Sequence, residues 1–277
     1  MKKYLAYLKS SFKLNTAYKA NFGIRLITDI IWFFIFFTLW TTIYSKNNIE
    51  SIQSYTITST ITYYFVTEFI FKFDVAQSIY LNWTVWTGYF SNDLVKPWSI
   101  PIVYIIDAIT ERFLVILMAI PVFALIYFFT REFIALPSAL NLVLFIVTLL
   151  LSFFLNICFN LIFHTLVFKY GDQEVTIELV NYIVIFFAGG FFPIAFLPEG
   201  LRFLFEVLPF KYLYYVPANI FLGKLTVNQI LMSWILIMAW SLLFYSIFHF
   251  SSKKWLKFYT GVGRWRNFWE SIWFCCV

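Results

Sequence analysis

Few side chains in this chain could do chemistry, and most of them sit in apolar surroundings. Only two histidines occur, His164 and His249, far apart in sequence, so neither a histidine-based triad nor a zinc site is expected. No G-x-S-x-G nucleophile turn occurs. A Gly-rich phosphate loop ending in Lys and Ser or Thr is also missing, since Gly223-Lys224 runs into Leu225 without an upstream glycine. The chain is therefore expected to be no enzyme and to hold no cofactor or metal of its own. Its polar groups lie instead in rows at spacing four. Thr56, Thr60, Tyr64 and Glu68 form one row, and Thr148, Ser152, Asn156, Asn160 and His164 form another. In a membrane helix such groups either bond to neighbouring helices or line a wet path for a substrate, and both readings stay open for Thr60, Tyr64, Ser152, Asn156 and Asn160. Glu68 and Asp107 are the titratable residues that ion or proton coupling would need, though both fall near helix ends.

The elements that must position these groups follow from composition. Of 277 residues, 62% are hydrophobic and 12% charged, and the mean hydropathy is +0.81. A soluble domain would carry roughly 25% charged residues. The chain reads as an all-α polytopic membrane protein. Its net charge of +6 is gathered in basic residues at the two ends, where cytoplasmic flanks explain it better than nucleic acid does. The three cysteines have neither disulfide nor metal spacing.

Six spanning helices are expected, over about 22–44, 54–71, 102–129, 140–163, 178–197 and 228–250, given that a bilayer core needs about 20 residues. Both termini are then cytoplasmic. Before the first helix, Lys2, Lys3, Lys9, Lys13 and Lys19 alternate with Tyr4, Leu5, Leu8, Phe12 and Leu14, a basic amphipathic pattern suited to an anionic membrane surface. Arg25 and Asp29, four apart, are expected to pair or to sit at the water interface. Residues 73–101 place Trp83, Trp86, Tyr89 and Phe90 among polar groups, which fits a short helix and turn at the inner interface. Thr226-Val-Asn-Gln229 has the form of a capping box opening the last helix.

Residues 186–225 are too apolar for a surface loop and too broken for one span. Gly189, Gly190, Pro193, Pro198, Gly200, Pro209 and Pro217 interrupt them. Irregular backbone survives at membrane depth only where protein or a wet cavity satisfies it, so a re-entrant or interfacial outer segment is expected before the last helix. Within it Leu201, Leu204, Phe205 and Leu208 share one face of a short amphipathic helix, and Arg202 can pair with Glu206.

The run AGGFFPIAFLPEGLRFLFEVLPFKYLYYVPANIFLGKL, with GYFSNDLVKPWSIPIVY upstream, resembles the membrane (permease) subunit of a type-two ATP-binding-cassette (ABC) exporter, in a bacterial subgroup of such permeases. The resemblance covers residues 1–261 as a single transmembrane permease domain. The basic-aromatic tail 262–277, with Cys275 and Cys276, departs from it. It implies a multi-pass protein of the cell (inner) membrane, paired with a second permease copy or related permease as a homo- or heterodimer. It also implies a separate ATPase subunit that carries the ATP and Mg. In such a protein the loop at residues 88–97 presses on the ATPase, which makes Gly88, Tyr89, Phe90, Asp93, Leu94, Lys96 and Pro97 the expected coupling residues. Gly189, Gly190 and Pro193 are then the expected outer gate for export of a cargo that the sequence does not identify, an amphiphile being one candidate. The alternative is an ion- or proton-coupled secondary transporter, with a membrane-bound enzyme third.

Overall fold

The structure is a computed structural model that describes residues 2–17, 19–47, 49–74, 84–85, 87–97, 99–170 and 174–259. Asn82, Trp83, Trp86, Asp172, the tail 262–277 and the Arg25 side chain lie outside what it describes. Among the described residues the only non-helical pairing is a bridge between Ile52 and Tyr55.

The helices are α1 (Lys2–Ala17), α2 (Lys19–Lys46), α3 (Ile57–Phe71), α4 (Phe90–Leu94), α5 (Ile100–Thr130), α6 (Ala139–His164), α7 (Val167–Tyr170), α8 (Glu174–Phe187), α9 (Glu199–Val207), α10 (Tyr215–Phe221) and α11 (Val227–Trp255). Stretches Ile27–Lys46, Ile100–Thr130, Ala139–His164 and Val227–Lys254 are long and apolar enough to cross a membrane. Apolar residues such as Ile31, Phe113, Leu117, Ile235 and Leu242 face outward on these helices, as lipid contact requires. The other two expected spans are shorter. α3 has 15 residues and α8 has 14, so each rises only about 22 Å against a core of about 30 Å.

Local sequence explains the helix ends. Thr56 caps α3 by accepting the Ser59 N–H, and Ser138 caps α6 by accepting the Asn141 N–H. Thr226 and Gln229 form a reciprocal capping box at the start of α11. The fifth helix was expected over 178–197 but ends at Phe187. There Gly189 adopts φ +78°, its N–H reaches the Phe186 carbonyl at 3.2 Å, and the Gly190 N–H reaches the Ile185 carbonyl at 2.9 Å. This paired bonding around a left-handed glycine terminates a helix, so the two glycines stop α8 rather than bend it.

The broken stretch after α8 is packed among the helices. Ile194, Ala218 and Ile220 are buried, and Tyr212, Leu213 and Tyr214 join a core with Tyr63, Leu155 and Val184. Polar bonds fasten it: Tyr63 donates to the Gly189 carbonyl, Tyr55 to the Asn219 side-chain oxygen, and Ser152 to the Tyr212 carbonyl at 2.6 Å. Only α9 stands apart, with Phe205 buried and Leu201, Phe203, Leu204 and Val207 exposed. The expected Arg202–Glu206 pair forms across one turn of it at 2.6 Å.

α1 packs along the first half of α5. Tyr7 donates to Asp107 Oδ2 at 2.7 Å, Ser11 donates to Asp107 Oδ1, and the Tyr4 hydroxyl accepts the Ser99 N–H. Leu8, Lys9 and Phe12 stay exposed on the other side. Asp107 is thus engaged by α1. The ends of α1, α5 and α11 nearest the chain termini share one side of the bundle, called here the basic end.

Candidate functional site

Between α2, α3, α5 and α8 lies a cavity of about 440 Å³. Its wall carries the charged residues Asp29, Glu68, Lys72 and Arg112 and also includes Gly190 and Phe191. Four helices meet there through residues at helical spacing. Glu68 and Lys72 stand one turn apart at the end of α3, where Lys72 is the C-terminal cap.

Charges at membrane depth cost about 2.5–3.5 kcal/mol each at a helix centre, which demands partners. Lys72 Nζ lies 2.6 Å from Asp29 Oδ1, with both side chains largely buried. Arg112 is paired to its neighbour Glu111. Lys72, forty-three positions along the chain, is thus an ion partner of Asp29. Two groups in the wall are left over. Among the described residues the half-buried Glu68 carboxylate takes no hydrogen bond or ion pair, and the buried Arg112 Nε has no hydrogen-bond partner. Lys72 was not singled out from the sequence, although the Glu68-x-x-x-Lys72 spacing, two opposite charges on one helical face inside apolar sequence, was the available signal.

The residues expected to line a path or glue helices lie elsewhere. Thr60 is fully buried, with its hydroxyl 2.9 Å from the Tyr44 hydroxyl. Tyr64 stacks on Phe36, ring centroids 4.8 Å apart, and tilts against Trp40. Asn160 Nδ2 donates to Asn156 Oδ1 at 2.9 Å, while Asn156 Nδ2 and the Tyr214 hydroxyl approach the two oxygens of Asp74 at 3.5 and 3.2 Å. Ser152, Asn156, Asp74 and Tyr214 contribute, with apolar neighbours, to the lining of a small space of about 10 Å³, about the size of one water. The Thr60–Tyr44 contact joins α3 to α2, whereas the Asn160–Asn156 contact lies within α6.

At the basic end, α4 displays the segment 88–97. Gly88 has φ +81° and opens the turn. Phe90 is buried against the rings of Phe168 and Tyr259, with centroids 5.0 and 5.1 Å away. Burial pushes the Tyr259 phenol up, so it stays a neutral donor, and its hydroxyl lies 3.5 Å from the Gly88 carbonyl. Asp93 and Lys96 pair at 3.0 Å. Tyr89, Leu94 and Val95 are exposed and Pro97 lies on the surface beside them. Phe90 accordingly anchors the segment while its neighbours form the tip.

Of Gly189, Gly190 and Pro193, Gly190 lines the cavity. A Cβ on Gly189 would lie 3.0 Å from both Ile194 Cγ1 and the Tyr63 hydroxyl, and one on Gly190 would lie 2.6 Å from Ile185 Cγ2. Pro193 is buried and precedes a single 3-10 turn, Ile194–Phe196.

Apolar spanning helices around a cavity with paired charges, and an exposed segment at the basic end, define a multi-pass membrane transport protein. The model for the ABC-2 family transporter protein matches residues 30–263, and the chain belongs to that family, as a type-two ABC permease subunit. Permease subunits of this family work with an ATP-binding subunit and are generally not enzymes themselves. No curated protein matches the chain.

Proposed function

We propose that the chain is the membrane half of an ATP-driven exporter of the cell (inner) membrane, working as a homo- or heterodimer with a separate ABC ATPase. The observation that carries this reading is the segment 88–97, where an aromatic anchor buries Phe90 and leaves Tyr89, Leu94 and Val95 exposed on a five-residue helix. Membrane surfaces do not require such a fixed tip, whereas a motor domain must push on something rigid. The six crossings consist of the four long helices plus α3 and α8, each extended across the bilayer by the packed irregular chain beside it. An even number of crossings keeps both termini cytoplasmic. ATP and Mg belong to the partner. Closure of the ATPases moves α4, and through Phe168 and Tyr259 it moves the ends of α7 and the chain after α11. The helices around the cavity then part at Gly189, Gly190 and Pro193.

Purification of the permease with its ATPase tests this. Replacing Asp93, Leu94 and Lys96 together should abolish recovery of the ATPase while the permease remains folded. An unchanged ATPase yield would remove the support for the docking site.

A further inference from the structure

We infer that the 440 Å³ cavity is a cargo site for a cationic amphiphile, a bulky apolar body carrying a positively charged nitrogen or phosphorus centre. This rests on the permease reading and adds the chemical class of what is carried. The volume falls within the range of about 300–1,000 Å³ that drug-sized ligands occupy. The wall supplies an apolar and aromatic surround in Trp32, Phe36, Phe71, Tyr182 and Phe191.

Charge decides the class. Lys72 is neutralised by Asp29 at 2.6 Å, and Arg112 is neutralised by Glu111. What remains is the Glu68 carboxylate, half-buried in the wall, which among the described residues makes no hydrogen bond or ion-pair contact and feels Lys72 only at longer range, while Lys72 itself is bonded to Asp29. An unpaired carboxylate in a low-dielectric cavity attracts a cation far more strongly than it would in water, and aromatic faces add cation–π attraction. The Arg112 Nε, which has no acceptor among the described residues, leaves one further donor in the wall. With its charge already matched, Arg112 suits a neutral acceptor on the same ligand, such as a carbonyl, ether or hydroxyl oxygen. An anionic amphiphile would have to displace Asp29 or Glu111 from its partner and would also meet Glu68.

Equilibrium binding to the full chain in neutral phosphatidylcholine nanodiscs, corrected for empty nanodiscs, tests the class with two ions of the same shape and opposite charge. Tetraphenylphosphonium should bind saturably and tetraphenylborate should not. Glu68→Gln should weaken tetraphenylphosphonium binding at least tenfold, whereas Glu206→Gln on α9 should leave it unchanged. Equal binding of the two ions, preference for the anion, or an unaffected Glu68→Gln variant overturns the inference. If Glu68→Gln fails to fold, the cation–anion comparison on the unaltered chain still decides. ATPase recovery separates the two readings. Loss of selective cation binding with the ATPase still bound removes only the cargo class, while cation binding without any ATPase partner removes only the ATP-driven reading.

Discussion

Lys72 and Asp29 show how one residue pair determines whether the cavity wall holds together. Removing one partner of a buried pair leaves an uncompensated charge, at about 3–5 kcal/mol. Lys72→Ala should therefore lower the apparent Tm in detergent sharply, and Asp29→Leu with Lys72→Leu should recover most of the loss. A double variant no better than the single one would show that the pair itself is not the source. Gly189→Ala must adopt the left-handed backbone, worth about 1–2 kcal/mol, besides meeting Tyr63 and Ile194. Gly190→Ala should be tolerated better when Ile185→Ala removes the methyl 2.6 Å away. A Gly190→Ala chain as stable as the parent would contradict the observed packing. Residue identities of this kind were only partly legible in the sequence. The Arg202–Glu206 pair and the Thr226–Gln229 box are local, fixed by helical spacing alone. The Asp29 partner is not local, because it depends on how α2 packs against α3.

Among the elements, α4 and α1 make separable contributions. Phe90→Ala should leave the bundle intact, since it removes contacts confined to Val85, Val167, Phe168 and their neighbours, yet it should uncouple transport because the tip loses its anchor. Val95→Asp should act differently, weakening ATPase recovery with no change in permease stability, as Val95 is exposed. Assaying ATPase binding and cargo-stimulated hydrolysis separately distinguishes them; identical profiles for both variants would contradict the anchor-and-tip arrangement. Asp107→Ala removes the acceptor for Tyr7 and Ser11, so α1 should detach from α5 and become open to limited proteolysis. Most helix spans were readable from hydropathy and capping. The fifth was not, because apolarity continues through 186–197 while Gly189 and Gly190 end the helix by backbone geometry that hydropathy does not register. α1 was readable as amphipathic, but its docking on Asp107 was not, since nothing in either segment names the other.

For the molecule as a whole, membrane insertion and family were legible in composition and in the ordered prolines and glycines of 186–225, whereas the cavity was not. Its charges come from α2, α3 and α5, and only folding brings them to one wall. In the two polar rows, by contrast, Thr60, Ser152, Asn156 and Asn160 are engaged in hydrogen bonds within the protein. The central claim is that an external ATPase grips the basic end at α4. A photo-crosslinking amino acid at position 95, compared with one at position 203 on exposed α9, addresses it directly. The ATPase subunit should crosslink from position 95 and not from 203. Capture of the ATPase from 203, or from neither position while the complex still assembles, would contradict the account.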